Sequence, residues 1–111
     1  MNGNNLVLDT NIILYFLAGD KTLIPFFEDH SLHISVITEI ELLGYKNLTE
    51  ENRREIKNFL KFYRIFGISD SIKKHTIRLR KQHNMKLPVA IIMGTALALN
   101  CPLRSLISDL V

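Results

Sequence analysis

Cysteine is nearly missing from this sequence. Cys101 is the one thiol in 111 residues, so an internal disulfide is excluded, and its place beside Pro102 after an apolar stretch suggests a buried side chain. Also missing is any uninterrupted apolar run of the roughly 18 residues that a membrane span needs. The opening MNGNN lacks the basic start and apolar core of a secretory signal. The expectation is a cytoplasmic protein with no membrane partner. Repeats and low-complexity segments are absent too. With 47% hydrophobic and 23% charged residues, the chain reads as one compact domain over residues 1–111 with a single core.

A further absence is local. Residues 71–108 contain seven bases and no acid, whereas residues 1–70 contain ten acids and seven bases. The overall charge of +3 therefore conceals two halves of opposite sign. Lys73, Lys74, Arg78, Arg80, Lys81, Lys86 and Arg104 could form a surface for a polyanion such as RNA, or could simply solvate a helix.

What is present is organised around LVLDTNIILYFL, Leu6 to Leu17. Leu6, Val7 and Leu8 run without alternation into Asp9, as a strand buried on both faces of a parallel sheet does. Ile12 to Leu17 is long enough for a buried first helix, stopping near Ala18 and Gly19. Asp9 then stands at the carboxyl end of a first strand, where open α/β sheets bind ligands. An aspartate at such a junction also serves as an N-cap for the helix. Both roles remain open at this point.

The chain continues with a short helix from about Thr22 to Asp29, regular from Leu23 or Ile24 because of Pro25. A β-branched strand over 32–36 follows. His30 and His33 are isolated and lack partners at zinc-ligand spacing, so they read as structural. In ISVITEIELLGY, Ile37, Ile40, Glu41 and Gly44 plot on one side of a helix at 100° per residue and Glu39 roughly opposite, which draws Glu41 inward. Thr49 predicts an N-cap with Glu50 and Glu51 in the first turn, and Ile56, Phe59, Leu60 and Tyr63 fall at helical spacing. That helix is expected to end near Tyr63. Ile65, Phe66 and Ile68 read as a third strand. Ser69, Asp70 or Ser71 then caps a helix to about His83, with Ile72, Thr76, Leu79 and His83 on one side; His75 and His83 flank it as packed or surface residues. A last helix from about Pro88 to Leu99 stops at Asn100. Its small residues, Ala90, Gly94, Thr95, Ala96 and Ala98, let the sheet or a second subunit approach closely.

Three of these stretches resemble motifs of the PIN domain family, metal-dependent nucleases that include the VapC toxins. Leu8-Asp9-Thr10-Asn11 after an apolar run is similar to the family's opening. Ser35, Thr38, Glu41 and Leu42, as S-x-x-T-x-x-E-L, are similar to its second motif. The stretch LPVAIIMGTALALNCPL is similar to its third, in which an aspartate follows Leu-Pro. Here that place holds Val89. The last motif is degraded or cut short: Ser105 can stand for a threonine, Ile107 takes the Asn or Asp place, and Asp109 is out of step by one residue.

The resemblance implies a three-layer α/β/α domain with a mostly parallel sheet of about four strands. It implies Asp9 and Glu41 as catalytic metal ligands for Mg²⁺ or Mn²⁺, Asn11 and Ser105 as supporting groups, and Val89 as a vacated ligand position. It also implies RNA as substrate, a homodimer, and an antitoxin whose tail fills the acidic pocket. Hydrolysis of a phosphodiester with Mg²⁺ needs carboxylates gathered against the phosphate and a water, so this chain is expected to be a weakened endoribonuclease. The alternative is a non-catalytic PIN module that dimerises and binds an antitoxin or RNA. A phosphotransfer domain using Asp9 as nucleophile fits poorly, since Asn11 replaces the second aspartate of a D-x-D motif and no lysine stands at a strand end.

Overall fold

The computed structural model describes residues 5–104, leaving aside the side chains of Phe26 and Arg104; Ser105, Ile107 and Asp109 lie outside the described residues. Four strands, β1 (Asn5–Leu8), β2 (Ser31–Ser35), β3 (Arg64–Phe66) and β4 (Leu103–Arg104), form one sheet in the order β3-β2-β1-β4. Every pairing is parallel, with Val7 opposite His33 on one side and Leu103 on the other. Parallel strands need crossover connections. Helices α1 (Thr10–Leu17) and α2 (Ile24–Asp29) join β1 to β2, α3 (Val36–Leu43) and α4 (Glu50–Leu60) join β2 to β3, and α5 (Asp70–Gln82) and α6 (Leu87–Leu99) join β3 to β4.

The chain winds outward from β1 to β3 and then returns to the far side of β1. Right-handed crossovers in opposite directions place their helices on opposite faces of the sheet, giving three layers. On one face, Leu6, Leu8, Leu32 and Ile34 are buried with Ile12, Ile13, Leu42, Ile56, Phe59 and Leu60. Phe16, Phe27 and Phe59 extend this core through ring contacts. On the other face Val7 is buried against Ile92 and Ala96 of α6.

The small surface of α6 meets the sheet at Ala96, which packs with Val7, and α5 at Gly94. A Cβ on Gly94 would lie 2.6 Å from Thr76 Oγ1 and 3.2 Å from the Ile72 carbonyl oxygen, so the close neighbour at Gly94 is this helix rather than the sheet or a second subunit.

Most boundaries follow the predicted ones, and the differences are local. A 3-10 turn (Lys21–Leu23), capped by Asp20, precedes α2. Helix α4 ends at Leu60, and its last carbonyls are met by Lys61, Phe62 and Tyr63 as a turn. Ile68 is half exposed in the loop after β3 rather than in the strand. Tyr15 turns to solvent from α1, which buries only Thr10, Ile12 and Ile13. Cys101 is only half-buried, and burial pushes its thiol up from the usual range.

Candidate active site

The order β3-β2-β1-β4 has its switch point between β1 and β4, and such points leave a crevice beyond the carboxyl ends of the strands. A cleft of about 720 Å³ lies there. Asp9, Thr10 and Asn11 line it from the end of β1, Glu41 and Tyr45 from α3 and beyond, Lys86, Val89 and Met93 from α6 and the loop before it. The first turn of α1 and the second turn of α3 reach the same edge because the strands before them are parallel neighbours.

Asp9 does both things the sequence left open. Its Oδ1 accepts from the Ile12 amide at 3.0 Å, capping α1, and its side chain lines the cleft. Glu41 is half-buried on the same cleft wall. Thr10 connects the two: its hydroxyl donates to Glu41 Oε1 at 2.6 Å and lies 3.1 Å from Thr38 Oγ1. One hydroxyl carries one proton, which goes to the carboxylate at the shorter distance. The Thr38 hydroxyl, fully buried, then donates to Thr10.

Glu41 therefore faces inward as predicted, but on a different stripe. The buried residues of α3 are Thr38 and Leu42, whereas Ile40 is 58% exposed. Hydropathy misassigns this helix because its apolar residues surround it, and the residue that fixes its orientation is a threonine satisfied by a hydrogen bond from another element. Glu39 lies off the cleft.

The other sequence-derived residues divide. Asn11 is exposed on the cleft and makes no side-chain hydrogen bond among the described residues. Val89 is 44% exposed on the opposite wall, in the first turn of α6. That turn holds no acid, and Lys86 at its N-cap makes no side-chain cap bond. Of the seven basic residues that could face RNA, the side chain of Arg104 is not described, and of the other six only Lys86 lines the cleft. Lys73 pairs with Asp70 at 3.6 Å, Arg80 donates to the Met85 carbonyl at 3.1 Å, and Lys74, Arg78 and Lys81 are exposed on α5. Residues passed over in sequence also line the site: Thr10, Tyr45, His83 and Met85. For Thr10 a signal was available, since a threonine directly after a strand-end aspartate opens the helix at the site.

Among the described residues no three of His, Cys, Asp and Glu converge. Among the described residues, Asp9 and Glu41 are the two carboxylates that the cleft could offer a cation. That set suits Mg²⁺, which is commonly held by one or two carboxylates with the remaining positions filled by water and substrate phosphate.

Comparison with known proteins agrees with this fold. Residues 6–108 match the PIN domain family. A toxin-antitoxin complex from Klebsiella pneumoniae is similar at 29% identity and a TM-score of 0.77, over 88% of this chain and 82% of that one. VapBC-1 from nontypeable Haemophilus influenzae is similar at 25% identity and 0.76, over 95% and 88%. DNA-bound VapBC from Salmonella typhimurium shares the fold, with a TM-score of 0.84 at 20% identity over 91% and 85%. No curated protein matches the chain. With the family matched across nearly the whole sequence and the fold of these complexes reproduced, the chain belongs to the PIN domain family.

Proposed function

We propose that this chain is an endoribonuclease of the VapC toxin kind whose activity is impaired by valine at position 89. The observation that carries the reading is the Thr10 hydrogen bond to Glu41, which ties the helix that follows Asp9 to the second acid and sets both carboxylates on one cleft. Nuclease activity is general in the family.

Asp9 and Glu41 would hold Mg²⁺ or Mn²⁺, which when bound neutralises charge at the phosphate and favours the hydroxide form of a bound water. The protein's own part is to orient. Asp9 is fixed by its bond from the Ile12 amide, and Glu41 by Thr10. Asn11, exposed on the cleft, would donate to a substrate oxygen, and Lys86, which lines the same cleft, would offer it a cation. Val89 supplies apolar surface where a third carboxylate would complete the ligand set, so metal occupancy and water placement both suffer.

Likeness to the VapBC complexes supports an antitoxin and a second copy of the chain as partners; RNA as substrate follows from the nuclease reading. A second reading, a non-catalytic PIN module that binds antitoxin or RNA without cutting, is favoured by the presence of only two clustered acids among the described residues.

RNA cleavage by the purified chain, Val89→Asp and the double variant Val89→Asp/Glu41→Gln in Mg²⁺ decides among these. We expect Val89→Asp to cut at least about tenfold faster than the unaltered chain, on the scale by which groups around a metal change activity, and the double variant to be inactive. Equal rates for the unaltered chain and Val89→Asp remove the impairment. Metal-independent inertness of Val89→Asp, with antitoxin binding retained, establishes the non-catalytic module.

A further inference from the structure

We infer that Thr10 is a positioning residue, holding the Glu41 carboxylate toward a divalent cation that it shares with Asp9; this rests on the metal reading above. A glutamate side chain has three rotatable bonds, and on the surface of an eight-residue helix it would sample many rotamers. Among the described residues the Thr10 hydroxyl is the one donor to Glu41. At 2.6 Å it makes a short bond to an ionised acceptor, a strong class of hydrogen bond.

Thr10 is itself held. It is 8% exposed, it is β-branched, which stiffens χ1, and its oxygen accepts from the fully buried Thr38. The chain Thr38 to Thr10 to Glu41 thus runs from the core to the cleft, with the Thr10 hydroxyl taking one hydrogen bond and giving one. It occupies Oε1 and orients Oε2. Because Thr10 directly follows Asp9, the residue that aligns the second acid sits one peptide unit from the first, and a movement of α1 carries both together. With valine at 89, two acids among the described residues line the cleft to share a cation, so losing the orientation of one removes half of those ligands.

The test is Mn²⁺ titration of the full-length chain, following free Mn²⁺ by electron paramagnetic resonance, in the unaltered protein and in Val89→Asp. Each is compared with Thr10→Val, Thr10→Ser and Glu41→Gln, and thermal melting reports folding. Thr10→Val keeps the shape and removes the donor; Thr10→Ala is a second hydroxyl-free variant should valine disturb the fold. We expect Thr10→Val to weaken Mn²⁺ binding about 10- to 100-fold, as loss of partners to metal ligands does, and Thr10→Ser to restore it to within about threefold. A donor that merely stabilised the fold would lower the melting temperature without changing Mn²⁺ affinity. If Glu41→Gln weakens binding and Thr10→Val does not, the role of Thr10 is overturned while the metal site stands. If Glu41→Gln binds Mn²⁺ as tightly as its parent, the metal reading falls and this inference with it.

Discussion

Gly94 of α6 and Thr76 of α5 meet so closely that the glycine has no room for a methyl group: a Cβ there would lie 2.6 Å from Thr76 Oγ1 and 3.2 Å from the Thr76 amide nitrogen. Thr76 cannot simply swing away, because its hydroxyl donates to the Ile72 carbonyl at 2.7 Å in a buried seam. Gly94→Ala gains roughly 1 kcal/mol of helix propensity but forces two helices apart, and overpacking typically costs about 1 to 3 kcal/mol. We expect net destabilisation by denaturant titration. Thr76→Ala should absorb part of the clash, so the double variant should lie above the sum of the two single losses.

That contact also shows where sequence reasoning stops. The small residues of α6 announce a close approach, but hydropathy cannot say which element approaches. Strand β1, the caps at Thr49 and Ser69 and the left-handed stop at Asn100 were legible because each depends on neighbours within a few residues. The face of α3 was not, since Thr38 is buried only because Thr10 meets its hydroxyl across the sheet edge. The basic run of residues 73–86 was legible as charge and not as a surface: Lys73 and Arg80 are engaged locally and one of the six considered bases reaches the cleft.

Asp9 carries a structural and a chemical role that different substitutions separate. Asparagine also caps helices well, so Asp9→Asn should keep the bond from the Ile12 amide and melt close to the parent while losing Mn²⁺ affinity. Asp9→Ala should lose both, with about 1 kcal/mol of stability. If Asp9→Asn is as unstable as Asp9→Ala, the bond to Ile12 is not what holds the start of α1.

His33 should make stability depend on acid. Its Nδ1 is buried with no hydrogen-bond partner among the described residues, its ring packs edge-on against Phe66, and burial, with the Arg64 charge as the lesser cause, lowers its pKa. The folded state thus disfavours the imidazolium, while the unfolded chain takes up a proton near pH 6.5. The contribution is fully present above about pH 6.5 and is lost as pH falls through the lower folded value. The difference in denaturant midpoint between the parent and His33→Gln should therefore shrink or reverse from pH 7.5 to pH 5. A constant difference across that window would show that His33 is not the titrating group.

Val89→Asp should separate metal binding from folding. Val89 is 44% exposed, so little apolar burial is lost. An acid in the first turn of α6, which lacks one, gains about 0.3 to 1 kcal/mol from the helix dipole. Against that stands repulsion from Asp9 and Glu41, which line the same cleft. Without metal these terms oppose each other, and the melting temperature should move little. With metal the repulsion becomes attraction to a shared cation, and binding to the folded state alone stabilises it by about 2.7 kcal/mol at a concentration 100 times Kd. Mn²⁺ should therefore raise the melting temperature of Val89→Asp well above the rise it produces in the unaltered chain, and adding Glu41→Gln should abolish the difference. Equal shifts in all three proteins would mean that Mn²⁺ binds elsewhere and that position 89 does not face the cation.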